Sequence, residues 1–284
     1  MDIASFFSEP LGYAFIQRGM LALVLVGGIN AIVGCFMVAR GMAFYGDALA
    51  HAILPGVAIS YIVSGGSVGS NLFVGGLGAG VVSASVIAWL SRNQELKEDS
   101  AIAIVFVTMF ALGIAIISTQ DSYTIDLTHI LFGSINGVKE SDLLLMGAMA
   151  AVVAVIIVLL YKEFLIISFD LSLAQSLRLP VEILRLTLLI LIAVTIVFSL
   201  QAVGIALMLA LLITPAATAR LLVKRLHHMI LIACLIGIVS GILGFYASYY
   251  LDIPSGACIV LTLSALFGAV FVLKSGMSHL GGRG

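Results

Sequence analysis

Asp47 and His51 stand four residues apart in Gly46-Asp47-Ala48-Leu49-Ala50-His51-Ala52. They are the side chains whose types and spacing best suit chemistry. On a helix that spacing puts both on one face, about 6 Å apart along the axis, so they can converge on one ion. Carboxylate oxygen with imidazole nitrogen suits manganese, zinc or ferrous iron, and the absence of a nearby thiolate argues against copper(I). Two other readings compete at this point. Asp47 can cap a helix N-terminus, and His51 can spend its N–H on a backbone carbonyl.

The remaining histidines say less. His129 follows Asp126 by three residues and reads as a surface pair or a gate element; His227 and His228 sit beside Lys224 and Arg225 at the end of an apolar run; His279 lies in a glycine-rich tail. A phosphate-binding loop needs Gly-Lys-Ser/Thr, yet none of Lys97, Lys139, Lys162, Lys224 or Lys274 follows a glycine. Any ATP would have to bind another subunit. No GxSxG, HExxH or close carboxylate pair falls within an apolar run, so no enzymatic activity is predicted.

The elements that must position these residues follow from composition. The chain has 284 residues, is 62% hydrophobic and only 10% charged, and has a mean hydropathy of +1.25. A soluble chain is about 25% charged, so this one belongs in a bilayer. Its net charge of −1, with no basic block, excludes nucleic acid as a partner. Cys35, Cys234 and Cys258 form no CxxC pair and sit in apolar runs as small hydrophobes.

Apolar stretches long enough to span a bilayer occur near 15–39, 47–64, 71–91, 101–118, 142–161, 183–200, 204–223, 229–248 and 256–273. Their length and unbroken apolarity predict helices rather than alternating barrel strands. The fold class is therefore all-α: a polytopic helical bundle of about nine transmembrane helices, read as one transmembrane domain over 1–284. The acidic start, Asp2 and Glu9 with no basic region, does not read as a cleaved signal peptide.

With the N-terminus outside, the inner side receives Arg40, Arg92, Lys97, Lys162, Arg178, Arg185, Arg220, Lys224, Arg225, Lys274 and Arg283, and the outer side only Arg18 and Lys139. Basic residues accumulate in cytoplasmic loops, so N-out and C-in is the expected topology. Gly76/Gly80 and Gly237/Gly241 have GxxxG spacing and predict close helix packing within the chain. Pro55 and Pro215 each predict a kink or break, and a tight turn is expected at Gln201.

The longest inner loop contains Phe169-Asp170-Leu171-Ser172-Leu173-Ala174-Gln175-Ser176-Leu177-Arg178-Leu179-Pro180. Asp170 can cap a short amphipathic helix that Pro180 ends before the next span. Such a helix suits either the membrane interface or a partner's groove.

Arg40-Gly41-Met42, Gly46-Asp47-Ala48, His51-Ala52-Ile53-Leu54-Pro55-Gly56-Val57-Ala58, Phe169-Asp170, Leu212-Ile213-Thr214-Pro215-Ala216-Ala217-Thr218-Ala219 and Gly256-Ala257-Cys258-Ile259-Val260-Leu261 together resemble the permease subunits of bacterial ATP-binding-cassette importers for manganese and zinc. The likeness runs in order over nearly the whole chain. It implies a permease homodimer in the cytoplasmic membrane, two cytosolic ATP-binding subunits and an extracytoplasmic metal-binding protein. It places the family's metal site on Asp47 and His51 and its ATPase-coupling helix on Asp170, Leu173, Gln175 and Arg178. Leu54-Pro55-Gly56 looks more like the manganese branch than the zinc branch. No cofactor is then permanently bound, and the divalent ion is cargo. A self-sufficient proton-coupled transporter using Asp47 as a relay, and a non-transporting scaffold or sensor, are the alternatives.

Overall fold

In hydrocarbon every backbone N–H and C=O must find its partner within the segment, which leaves an isolated apolar stretch only the helix. The computed structural model describes residues 12–65, 70–92, 96–119 and 135–281, and among them the chain is helical without strands. Nine helical segments in these residues are long and apolar enough to cross a membrane.

The helices are α1 (Ala14–Ala39), α2 (Ala43–Ala52), α3 (Leu54–Val63), α4 (Ser70–Leu90) and α5 (Glu98–Ile117), then α6 (Glu140–Leu159) after a single 3₁₀ turn. Two short helices follow, α7 (Tyr161–Phe169) and α8 (Leu171–Ser176), before the long α9 (Val181–Val203), α10 (Ile205–Leu222), α11 (Leu226–Leu251) and α12 (Ser255–Gly281). The expected spans and the helices agree to within a few residues. Helix ends differ where the chain's polar residues also adopt helical geometry, as Glu98 and Glu140 do in the first turns of α5 and α6. Carboxylates there complement the positive end of the helix dipole.

The second span is two helices, because α2 stops at Ala52 and α3 restarts at Leu54 with Pro55 in its first turn. A proline has no N–H to give the carbonyl four residues earlier, here that of His51. The break therefore falls directly after the candidate site. Pro215 behaves differently, since α10 runs through it. The turn expected at Gln201 lies instead at Gly204, whose φ of 79° is open to glycine and strained for other residues. Gln201 is still helical. The tail expected after residue 273 continues as helix to Gly281.

The chain divides into two compact units, the first formed by 1–38, 134–148 and 206–284 and the second by 39–133 and 149–205. In the first, Gly237 meets the backbone of Gly27 on α1, and Gly241 lies against Leu23. In the second, Gly76 and Gly80 of α4 face Val57, Ile53 and Val197. Both GxxxG pairs thus pack helices of one chain, as expected. The tightest approach in the second unit joins Gly56 of α3 to Gly75 of α4, where a methyl group on either would run into the other's carbonyl oxygen. Gly113 of α5 accepts Leu54 and Pro55 in the same way, at the helix break. Small residues here let backbones touch, which is where helix association in lipid finds its dispersion energy.

Candidate functional site

α2 is a ten-residue helix, with Asp47 in its middle and His51 in its last turn. The four-residue spacing is realised on one continuous helix, so the two side chains share a face as the sequence predicts. Met42 holds the cap position and provides no side-chain hydrogen bond. Asp47 is therefore not a cap. Its carboxylate has no ion pair or hydrogen bond among the described residues. The Nδ1 atom of His51 is buried and likewise has no partner, so the backbone-carbonyl reading fails too. Among the described residues no group of three metal-ligating side chains occurs.

The helix is held on both sides. Tyr45, fully buried, donates its hydroxyl to the Leu189 carbonyl of α9 at 3.3 Å and fixes the rotation of α2 from one face. On another face α5 supplies Phe106 and Phe110. The His51 ring lies 5.6 Å from the Phe110 centroid at 29° and 5.9 Å from that of Phe106 at 51°. Phe44 meets Phe106 edge-on at 6.4 Å. Phe106, Phe110 and Gly113 follow one another at four and three residues, one stripe of α5 turned to the broken span.

The second predicted feature stands apart on α7 and α8. Asp170 caps α8, its Oδ1 accepting the Leu173 N–H at 2.9 Å. The helix ends before Pro180, because Arg178 adopts a left-handed φ of 54°. Its N–H bonds the Gln175 carbonyl at 2.9 Å and that of Leu179 bonds Ala174 at 3.0 Å, the paired closure of a Schellman cap. Pro180 instead opens α9 from its N-cap. Leu173, Gln175 and Arg178 are exposed, as are Phe169, Leu171 and Leu177. His227 and His228 are exposed with ring centroids 4.1 Å apart. Asp126, His129 and the His279 side chain lie outside the described residues.

The sequence profile of the ABC 3 transport family matches residues 12–274. The chain belongs to the ABC 3 transport family. It is an ATP-binding-cassette metal permease, a multi-pass membrane component, as its motifs imply. A relative from Halalkalibacterium halodurans, the manganese transport system membrane protein MntC, is 42% identical over 95% of this chain and 91% of its own. The chelated iron transport system membrane protein YfeD of Yersinia pestis is 36% identical over 95% and 88%. Among solved structures, PsaBC from Streptococcus pneumoniae in complex with Fab superposes with a TM-score of 0.80, at 36% identity over 95% of each chain.

In this ABC 3 family chain a cluster that sequence spacing does not announce ties down the end of the bundle from which α2 starts. Glu98 accepts Arg40 Nη2 at 3.3 Å on one oxygen and Arg185 Nε at 3.1 Å on the other. Arg185 also donates to the Ser91 carbonyl at 3.1 Å and the Ser91 hydroxyl at 2.7 Å, closing the C-terminal end of α4. Burial pulls the Arg40 guanidinium below its ordinary value, and the facing Glu98 carboxylate raises it back in part. One carboxylate thus serves two guanidinium groups drawn from the start of α9 and the segment joining α1 to α2. Glu98→Gln leaves both cations without a counter-charge and should cost on the order of 3 kcal/mol. Thermal unfolding of the detergent-purified protein checks this, with a lower Tm expected; an unchanged Tm would show the cluster to be dispensable.

Proposed function

We propose that this permease carries a divalent transition metal, manganese before zinc or ferrous iron, into a bacterial cytoplasm, and that Asp47 and His51 are its transit ligands. The observation that carries the reading is the unpartnered pair on one face of α2, next to a helix break. A carboxylate and an imidazole at membrane depth are costly unless they have a partner, and an ion in transit supplies one. Broken helices recur beside substrate paths in transporters. Manganese is favoured by the name of the MntC relative, while the YfeD relative is named for chelated iron.

One chain offers two side-chain ligands, too few to replace a divalent ion's hydration shell. A homodimer supplies two carboxylates and two imidazoles around a shared axis, and the carboxylates offset the ion's charge. The whole chain, 1–284, serves as one permease domain in this reading. Binding must stay modest, since a site that holds its ion too well cannot release it. ATP binding and hydrolysis belong to separate cytosolic subunits, which grip α8 through Asp170, Leu173, Gln175 and Arg178 and drive alternating access. An extracytoplasmic metal-binding protein delivers the ion. The exposed apolar and polar side chains of the capped α8 support a docking role, and the eleven-to-two split of basic residues supports an N-terminus outside and a C-terminus inside.

Asp47→Asn keeps shape and one oxygen ligand but removes negative charge from the site. Asp47→Asn and His51→Ala should each abolish radiolabelled manganese uptake while the permease still co-purifies with its ATPase. Near-normal uptake by both would put the pathway elsewhere.

Topology and docking share a second test. In a background lacking Cys35, Cys234 and Cys258, a cysteine replacing Thr119 should react with an impermeant thiol reagent in intact cells, and one replacing Ser172 should not. In inverted membrane vesicles the Ser172→Cys variant should react, and adding the ATP-binding subunit should shield it. Labelling of Ser172→Cys from outside would overturn the orientation; labelling undiminished by the subunit would overturn the docking.

A further inference from the structure

Resting on the reading of His51 as a transit ligand, the geometry points to Phe106 and Phe110 as the residues that keep its hold on the ion weak. Nδ1 of His51 is buried without a hydrogen-bond partner among the described residues, so Nε2 is the nitrogen left to reach an ion. When Nε2 binds through its lone pair, the neutral imidazole carries its proton on Nδ1. Resident metal sites almost always give that N–H to a carboxylate, a carbonyl or a water, which orients the ring and makes the other nitrogen a better donor. Here the imidazole ring is instead packed by the rings of Phe106 and Phe110, at 5.9 and 5.6 Å between centroids. The two phenyl rings are themselves stacked, 5.9 Å apart at 27°.

This arrangement separates two things that a hydrogen-bond acceptor would provide together. Aromatic packing fixes the plane of the imidazole, so the ligand is held in place for arrival of the ion. The missing acceptor withholds the added basicity, so the ion leaves readily. A transported ion needs a site of this kind, whereas a permanently bound one does not. Phe106 and Phe110 are thus positioning residues that act through His51 and tilt the balance between affinity and release.

The test supplies what the site lacks. Phe110→Gln and Phe106→Gln, made singly, each offer an amide oxygen beside the imidazole as an acceptor for Nδ1; Phe110→Leu and Phe106→Leu remove the ring without offering an acceptor. Manganese binding to the detergent-purified complex with its ATPase, and uptake kinetics in cells, are measured for all four. At least one glutamine variant should bind manganese more tightly, by up to about tenfold. The same variant should show a lower KM together with a lower maximal uptake rate. The leucine variants should gain no affinity. Damage to folding lowers affinity and rate together and cannot produce tighter binding with slower turnover. Equal or weaker binding by both glutamine variants, or the same gain in the leucine variants, would overturn the proposal. His51→Ala serves as the reference: lost binding there together with unaltered glutamine variants sinks only the tuning role, whereas retained binding sinks the site reading itself.

Discussion

A doubly charged ion cannot enter hydrocarbon unless ligands replace its water and charge offsets its own, and the same rule makes every unpartnered polar side chain in a membrane costly. The chain keeps charged groups within its spans scarce. In the first turns of the second span Tyr45 is tied to the Leu189 carbonyl, whereas Asp47 and the Nδ1 atom of His51 have no partner among the described residues. The rest of the second unit reads as the support for that exception. Pro55 ends the helix one turn past His51, Gly113 admits the broken segment against α5, and Gly56 and Gly75 bring α3 against α4.

Rigidity around the open pair comes from two kinds of contact with different ranges. Close glycine crossings of α3 with α4 and α5, and the aromatic rings of α5 packed on α2, act by dispersion over a few ångströms and set the lateral position of the broken span. The Arg40–Glu98–Arg185 cluster is electrostatic and joins segments far apart in sequence at the end from which α2 departs. Its members also serve helix ends: Arg185 satisfies the Ser91 carbonyl at the C-terminal end of α4, and Glu98 places negative charge at the positive end of α5. A short helix such as α2, with no side-chain cap of its own, depends on such neighbours for its orientation.

Much of this was legible in the sequence, and the misses have physical causes. Long apolar runs can form only helices in lipid, so the spans and the break at Pro55 follow directly. Pro215 carries the same local signal as Pro55, yet α10 continues through it, because neighbouring groups decide whether a proline's lost bond ends a helix. The turn lies at Gly204 and not at Gln201 because the polar Gln201 attracts the expectation in an apolar stretch, whereas the positive φ that makes the turn falls on the glycine three residues later. Four-residue spacing placed Asp47 and His51 on one helix face, as α2 has them, and the cap at Asp170 was visible from residue type. Phe106 and Phe110 were not, since phenylalanines on an apolar helix look alike whether they face lipid or a histidine. The partnership of Glu98 with Arg40 and Arg185, 58 and 87 residues away, exists only in the folded chain.

The central claim is that His51 touches the transported ion. Pulsed electron paramagnetic resonance of Mn²⁺ bound to the complex with a hydrolysis-deficient ATPase reads nitrogen nuclei in the ion's first coordination sphere. Labelling the permease alone with ¹⁵N-histidine should change the nitrogen modulation from the ¹⁴N to the ¹⁵N pattern, and His51→Ala should abolish it. Bound Mn²⁺ without nitrogen coupling, or coupling that survives in His51→Ala, would contradict the account.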